Sequence, residues 1–471
     1  MIKAILALVL SGQVIGKTLN VPLNGLPSDF DPQTMSDIYS MIANLQLHRG
    51  LLKFNSLLEV ENDFAKSFEV LDNGKKIIFH LRDDIHFSDG SKIKAIDVVK
   101  TFKRMFKIKS AMASDLSYID DISEISDNSV LFKLKSPSSL FFKQLSTVDC
   151  AILKLTDNLE LVKHVYSGPY RLESLNNDFI ILQIIEDKKY KNAPKKIKFI
   201  LKDDKKISFK FIKDNYDTVD GLILSKDISD SLKKSGWNES VSTTANIFAL
   251  ILNPNKIQHE DRSRIFNYFY YDKSFITDKN FIPMTGVVPA AISGPVYSFI
   301  LDKKEISLRK SNLALEMIVV KDMAGLNMIQ KSLMELKIRT GIEIKIKELA
   351  VTDFINKVKN DDFELRVLPK LVDYPDPYAM LAYFRSGYEA NKYFINDTEI
   401  DKLLDKSISE LNKEKRYKIY HEIQQIILNK KIFVPLFSGT SQEKLWSSKV
   451  KFVPSHPMGL ISLPFEEIKV E

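Results

Sequence analysis

The chain has 471 residues, 44% of them hydrophobic and 27% charged, values that argue against both a disordered chain and a membrane-embedded body. Its net charge of +7, from 68 lysines and arginines against 61 acids, favours solubility but names no partner. At roughly 100–200 residues per domain there is room for two or three domains. The single cysteine, Cys150, excludes an intrachain disulfide and a cysteine-rich zinc site, and is expected to be a buried, inert small hydrophobe.

Residues 1–16 read as a signal peptide. Lys3 makes a positive start, Ala4 to Leu10 a short apolar stretch, and Val14-Ile15-Gly16 a small-residue cleavage site. The stretch is too short to span a bilayer, which takes about 20 apolar residues. No cysteine follows it, so the mature protein is expected to be free in the periplasm, without a lipid tether. Gly12 to Thr18 looks like a phosphate loop, but three residues separate its glycines where that loop needs four.

Farther along, an Asp72-Asn73-Gly74 turn predicts a strand over 75–82, and Ser88-Asp89-Gly90 predicts a second turn. Lys94 to Phe106 carries apolar residues at helical spacing. The segment 188–213 holds eleven lysines and two acids. Ile207, Phe209 and Phe211 alternate there with Ser208, Lys210 and Ile212, which predicts a strand with a solvated lysine face and not a nucleic-acid stripe. Helices are predicted over 400–411 and 416–428, and Gly168-Pro169 and Pro375-Asp376-Pro377 are the clearest breakers.

Catalytic and metal signatures are missing. None of the seven histidines pairs at the i, i+4 spacing of a zinc helix, and there is no Gly-x-Ser-x-Gly elbow and no Gly-x-Gly-x-x-Gly loop. Neighbouring acids such as Asp83-Asp84 and Asp361-Asp362 would point to opposite faces of a strand. No enzyme activity, cofactor or metal is therefore expected. The competing reading, a secreted hydrolase, lacks a visible nucleophile and base.

Several segments, in order, carry a resemblance. Phe30-Asp31-Pro32 precedes Arg49-Gly50-Leu51-Leu52. Phe79-His80-Leu81-Arg82, Phe87-Ser88-Asp89-Gly90 and Ala95-Ile96-Asp97-Val98 form the most specific block. Gly168-Pro169-Tyr170, Asn253, Arg264, Asp272-Lys273 and Pro289 follow. Asp373-Tyr374-Pro375-Asp376-Pro377, then Asp401, Leu403-Leu404, Arg416 and Val434-Pro435-Leu436-Phe437, complete the series. From about Phe30 to Phe437 the chain resembles the family 5 extracellular solute-binding proteins, the oligopeptide- and dipeptide-binding class of ABC importers.

The resemblance implies an α/β fold of the two-lobed periplasmic-binding-protein type II, with mixed sheets, a hinge and an inserted subdomain in the first lobe. Lobe I is placed at 17–245 and 435–471, with 46–160 as the insert, and lobe II at 246–434. It implies capture of a peptide or similar small solute by hinge closure and delivery to ABC permease membrane subunits by a monomer with no nucleic-acid partner. A ligand sensor of the same fold, without transport, is the alternative. Asp373 is the leading ligand-binding candidate, because in peptide-binding relatives the aspartate of this motif pairs with the ligand's ammonium group. A helix cap or turn is its competing role. Tyr374 would stack or donate a hydrogen bond, or else be a core tyrosine. Lys370 stands where relatives often place an aromatic nearby. Pointing inward it would neutralise Asp373 or bind a ligand carboxylate, but because a buried unpaired lysine is costly it is expected to face solvent.

Overall fold

The computed structural model describes residues 18–470, apart from 186–189, 204–205, 221–225, 243–244, 279–280, 295–297, 302–310, 322, 373, 388–392, 440–441 and 455–462. The expected signal peptide lies outside the described residues. Helices and mixed sheets alternate along the chain, as an α/β fold requires.

Three sheets organise the molecule. A four-stranded sheet has the order Thr18–Leu23, Lys196–Leu201, Phe179–Ile184, Tyr170–Leu175; its first pair is parallel and the others antiparallel. A six-stranded sheet runs Phe281–Pro283, Phe433–Gly439, Asn246–Leu252, Leu365–Leu371, Ala314–Val320, Glu343–Leu349, antiparallel up to Leu365–Leu371 and parallel beyond it. Its central strand, Asn-Ile-Phe-Ala-Leu-Ile-Leu, is buried from Ile247 to Leu252, which is why it reads as an unbroken apolar run rather than an alternation.

The third sheet, Ala65–Leu71, Lys76–Leu81, Ser129–Leu134, Ile119–Ser126, is wholly antiparallel. Ile77, Phe79 and Leu81 point inward and alternate with more exposed residues. The helix Ala95–Lys107 covers that inner face, with Phe102 edge-on to Phe132 at 5.2 Å. These residues form their own core, separate from the large core shared by the other two sheets. Cys150 belongs to the smaller core, 1% exposed, and burial raises its thiol pKa and keeps it protonated.

Two adjacent crossings lead into and out of the six-stranded sheet. Asn238–Ser242 and Gln442–Trp446 pair antiparallel in a small sheet with Thr218–Asp220. The chain continues from the first into Asn246–Leu252 and reaches the second from Phe433–Gly439, and those strands are themselves paired.

One expected element differs. The run 207–212 is not a strand: Phe209–Asn215 is a helix, and Ser208 caps it by accepting from the Phe211 amide at 3.2 Å. Phe209, Ile212 and Tyr216 recur at i, i+3, i+7 and meet Leu232, Trp237 and Leu445 in a satellite core.

Candidate functional site

A cavity of about 760 Å³ is enclosed between residues 35–54, 111–115 and 146–149 on one side and Val351, 369–372 and Tyr383 on the other. Its volume and largely apolar lining, with a few charged groups converging on it, are those of a small-ligand site. A hollow of similar volume beside Lys107 and Asp157 is a surface depression, and the Asp157 side chain in it is fully exposed.

One wall begins at Met35 and follows the helix Ile38–Leu47. Asp37 starts that helix. Its carboxylate accepts the Tyr39 and Ser40 amides, both at 2.9 Å, and the Ser28 and Ser40 hydroxyls. Burial would raise its pKa, but the bonds from Ser40, Ser28 and Tyr39 outweigh it and the pKa is lowered. The same side is completed by the helix Ala111–Asp115 and the segment 146–149, so Asp37, Asp115 and Asp149 all border the cavity.

At the base, Arg49 is held between Asp63, at 3.6 Å, and Glu466. Burial disfavours its charge, yet Glu466 and Asp63 more than compensate and its pKa is raised. Asp63 is raised in turn, because burial outweighs the pull of Arg49. Near Arg49 but outside the cavity lining, a Cβ on Gly168 would sit 2.6–2.7 Å from the backbone of Gln46, Leu47 and His48, while its own amide bonds to the Leu47 carbonyl at 2.7 Å. The glycine of the Gly-Pro-Tyr motif is thus required by close approach of two backbones.

The opposite wall is Val351, the segment 369–372 and Tyr383. Pro369, Lys370 and Leu371 end the strand Leu365–Leu371, which pairs along its length with Asn246–Leu252. On its other edge only Leu365 and Arg366 pair with Ala314–Val320, so beyond them that edge has no strand neighbour among the described residues. Lys370 does not face bulk solvent as expected. It borders the cavity, donates to the Tyr383 hydroxyl at 2.7 Å and lies 4.3 Å from the centre of that ring. The half-buried ammonium therefore has the Tyr383 hydroxyl and ring to offset the cost behind the expectation.

Asp373 lies outside the described residues; Val372, immediately before it, borders the cavity. Tyr374 is a core residue, 2% exposed, with its pKa raised by burial, and it is not among the residues bordering the cavity. The helix cap in this motif is Asp376, which accepts the Tyr378 amide at 2.9 Å with Pro377 at the first helical position. Asp376 is fully buried and also meets the Tyr420 hydroxyl and the Lys143 ammonium, each at 2.8 Å. The Asp-Pro pair signals the cap in the sequence; no local signal names Lys143 or Tyr420.

Other family-like motifs serve as structure. Arg82 forks onto Asp84 at 2.7 and 2.9 Å, Asp89 caps the turn at Gly90, and Asn253 donates to the Phe363 carbonyl at 2.8 Å. Among the described residues no helix is long and apolar enough to cross a membrane, and no group of three His, Cys, Asp or Glu is placed to hold a metal.

Residues 59–273 match the family described as bacterial extracellular solute-binding proteins, family 5 middle. The dipeptide-binding protein DppE of Bacillus subtilis is 20% identical, over 96% of this chain and 92% of its own length. The oligopeptide-binding protein OppAIV of Borrelia burgdorferi superposes with a TM-score of 0.79 at 20% identity, covering 97% of this chain and 100% of its own. NikA of Brucella suis, solved with Fe(III)-EDTA, gives 0.80 at 17% identity, covering 96% and 100%. The fold is accordingly the two-lobed periplasmic-binding-protein type with mixed sheets. The match to the family 5 bacterial extracellular solute-binding proteins thus covers residues 59–273, and the likeness to DppE in sequence and to OppAIV in fold runs nearly end to end.

Proposed function

We propose that this chain is the extracytoplasmic binding protein of an ABC importer, a monomer that captures a peptide or similar small solute and delivers it to membrane permease subunits. The observation that carries this reading is the 760 Å³ cavity walled by segments from both sides of the paired crossings. Residues 17–245 belong to lobe I, with 46–160 inserted, and 246–434 to lobe II; the expected return to lobe I at 435 moves past Gly439, because the whole strand Phe433–Gly439 pairs in the six-stranded sheet, and residues 1–16 direct export to the periplasm. The crossings act as the hinge. Ligand drives closure to the extent that it contacts both walls better when they are together.

A peptide suits this cleft chemically. Asp373 takes the ligand's ammonium group, Lys370 its carboxylate, and Tyr374 backs the wall between them. Charge-assisted bonds of this kind are roughly twice as strong as neutral ones. The likeness of folds that take peptides in one protein and a metal chelate in another leaves the solute class to experiment.

The test is thermal unfolding of residues 17–471 against di- to pentapeptides, nickel chelates, haem and oligosaccharides. Ligand at a hundredfold excess over Kd should add about 2.7 kcal/mol of stability. Stabilisation by a peptide that is lost in Asp373→Ala supports the reading. Stabilisation by a sugar or chelate alone would remove the peptide assignment, and no stabilisation at all would remove the receptor reading.

A further inference from the structure

The two walls of the cleft meet at one end through a set of contacts that no ligand is needed to form. The helix Phe141–Leu145 runs directly into the wall segment 146–149, and Asp376 follows closely on the opposite wall segment 369–372. Between them, the Lys143 ammonium lies 2.8 Å from the Asp376 carboxylate and 3.0 Å from the Pro375 carbonyl. Just before, the Ser139 amide donates to the Ile408 carbonyl at 2.8 Å and its hydroxyl to the Ser407 carbonyl at 3.2 Å, at the end of the helix Thr398–Ser409. Through these bonds Ser139 and Lys143 dock the wall that carries 146–149 onto segments of the opposite wall.

The charges decide what this contact does. Asp376 has no exposed surface, and its other partners, the Tyr378 amide and the Tyr420 hydroxyl, are neutral donors on its own side. A buried carboxylate requires a counter-charge. Here the other body supplies it, from a lysine that keeps 25% of its side chain exposed. Separation of the walls would return both ions to water. We propose that Lys143 and Asp376 form an interlobe clamp that sets how much of the ligand-free protein is closed, and so scales the apparent affinity for any solute the cleft accepts. This rests on the hinge reading above. Because only the closed fraction binds fully, a variant that lowers that fraction raises the apparent Kd in proportion.

The experiment needs no identified ligand. Cys150 is buried, so spin labels can be placed at introduced cysteines, Ser114→Cys and Thr352→Cys, both exposed positions beside the cavity. Interlabel distances are measured by double electron–electron resonance without ligand and with a tryptic digest of casein, after circular dichroism has verified that each variant is folded. Lys143→Met is expected to move the ligand-free distribution to longer distances, equivalent to a change in the closed-to-open ratio of roughly 5- to 150-fold. Adding Asp376→Asn to Lys143→Met removes the stranded carboxylate, keeps the cap oxygen, and is expected to bring the distribution back towards wild type. Coincident distributions for wild type and Lys143→Met overturn the clamp. If they coincide while the digest still shortens the wild-type distance, the receptor reading survives that failure. If Lys143→Met lengthens the distance and the digest has no effect on wild type, the clamp stands and the peptide class falls.

Discussion

His48 shows how a single side chain can carry a pH dependence with no role in chemistry. It is 2% exposed, contacts the Phe30 carbonyl through Nε2 at 3.2 Å, and packs edge-on to Tyr166. Burial lowers its pKa to about 4, against smaller opposing effects from the Phe30 carbonyl and Asp31. The folded state therefore refuses a proton that the unfolded state accepts near its ordinary pKa of 6.5. Stability from this group is fully present above pH 6.5 and is lost as pH falls through the interval down to about 4, about 3 kcal/mol in all. Urea unfolding at pH 7 and pH 4.5 should show a smaller drop for His48→Gln than for wild type; equal drops would mean that His48 does not titrate differently on unfolding. Nothing around position 48 in the sequence marks the histidine as buried. The carbonyl and ring that enclose it come from residues 30 and 166.

At the scale of elements, the helix Phe209–Asn215 shows where periodicity misleads. Over six residues, Ile207, Phe209 and Phe211 satisfy an alternating pattern, while Phe209 and Ile212 fit a helical one. The satellite core arbitrates, because it lies on one side and takes Ile212 and Tyr216 together. Ser208 is the local signal that was available, a cap residue just ahead of the run. Ser208→Ala should destabilise this part of the fold by about 1 kcal/mol, measurable as faster amide hydrogen exchange over 209–215 with little change elsewhere. By contrast the helices Ala95–Lys107, Thr398–Ser409 and Lys413–Asn429 fall within a few residues of their expected spans. They are long enough for the 3.6-residue repeat to be unambiguous.

At the scale of the molecule, the last residues close the fold onto its beginning. Leu463, Phe465 and Ile468 have no exposed surface. Gln46 exchanges hydrogen bonds with the Leu463 carbonyl at 3.0 Å and the Phe465 amide at 2.9 Å, and Glu466 is the partner of Arg49. Phe465 also meets Phe199 of the four-stranded sheet at 5.6 Å. Removing residues 463–471 should lower the melting temperature by about 10 °C or more, since three buried side chains are worth about 5–9 kcal/mol of transfer free energy and Arg49 loses a counter-charge. An unchanged melting curve would show that the segment is not integral to the fold.

What the sequence by itself determined is the set of features written in short-range order: turns at Asp72-Asn73-Gly74 and Gly90, long amphipathic helices, and a family-like succession of motifs that led to the mixed α/β architecture. Those depend on backbone preference and on periodicity, which neighbours in the chain express directly. Only the tertiary structure decided which charges meet. It turned Lys370 into the cleft wall beside Tyr383 and set Lys143 against Asp376 across 233 residues of chain. The physical reason is that the cost of burying a charge depends on its partners, and those partners arrive from distant segments when the two bodies come together.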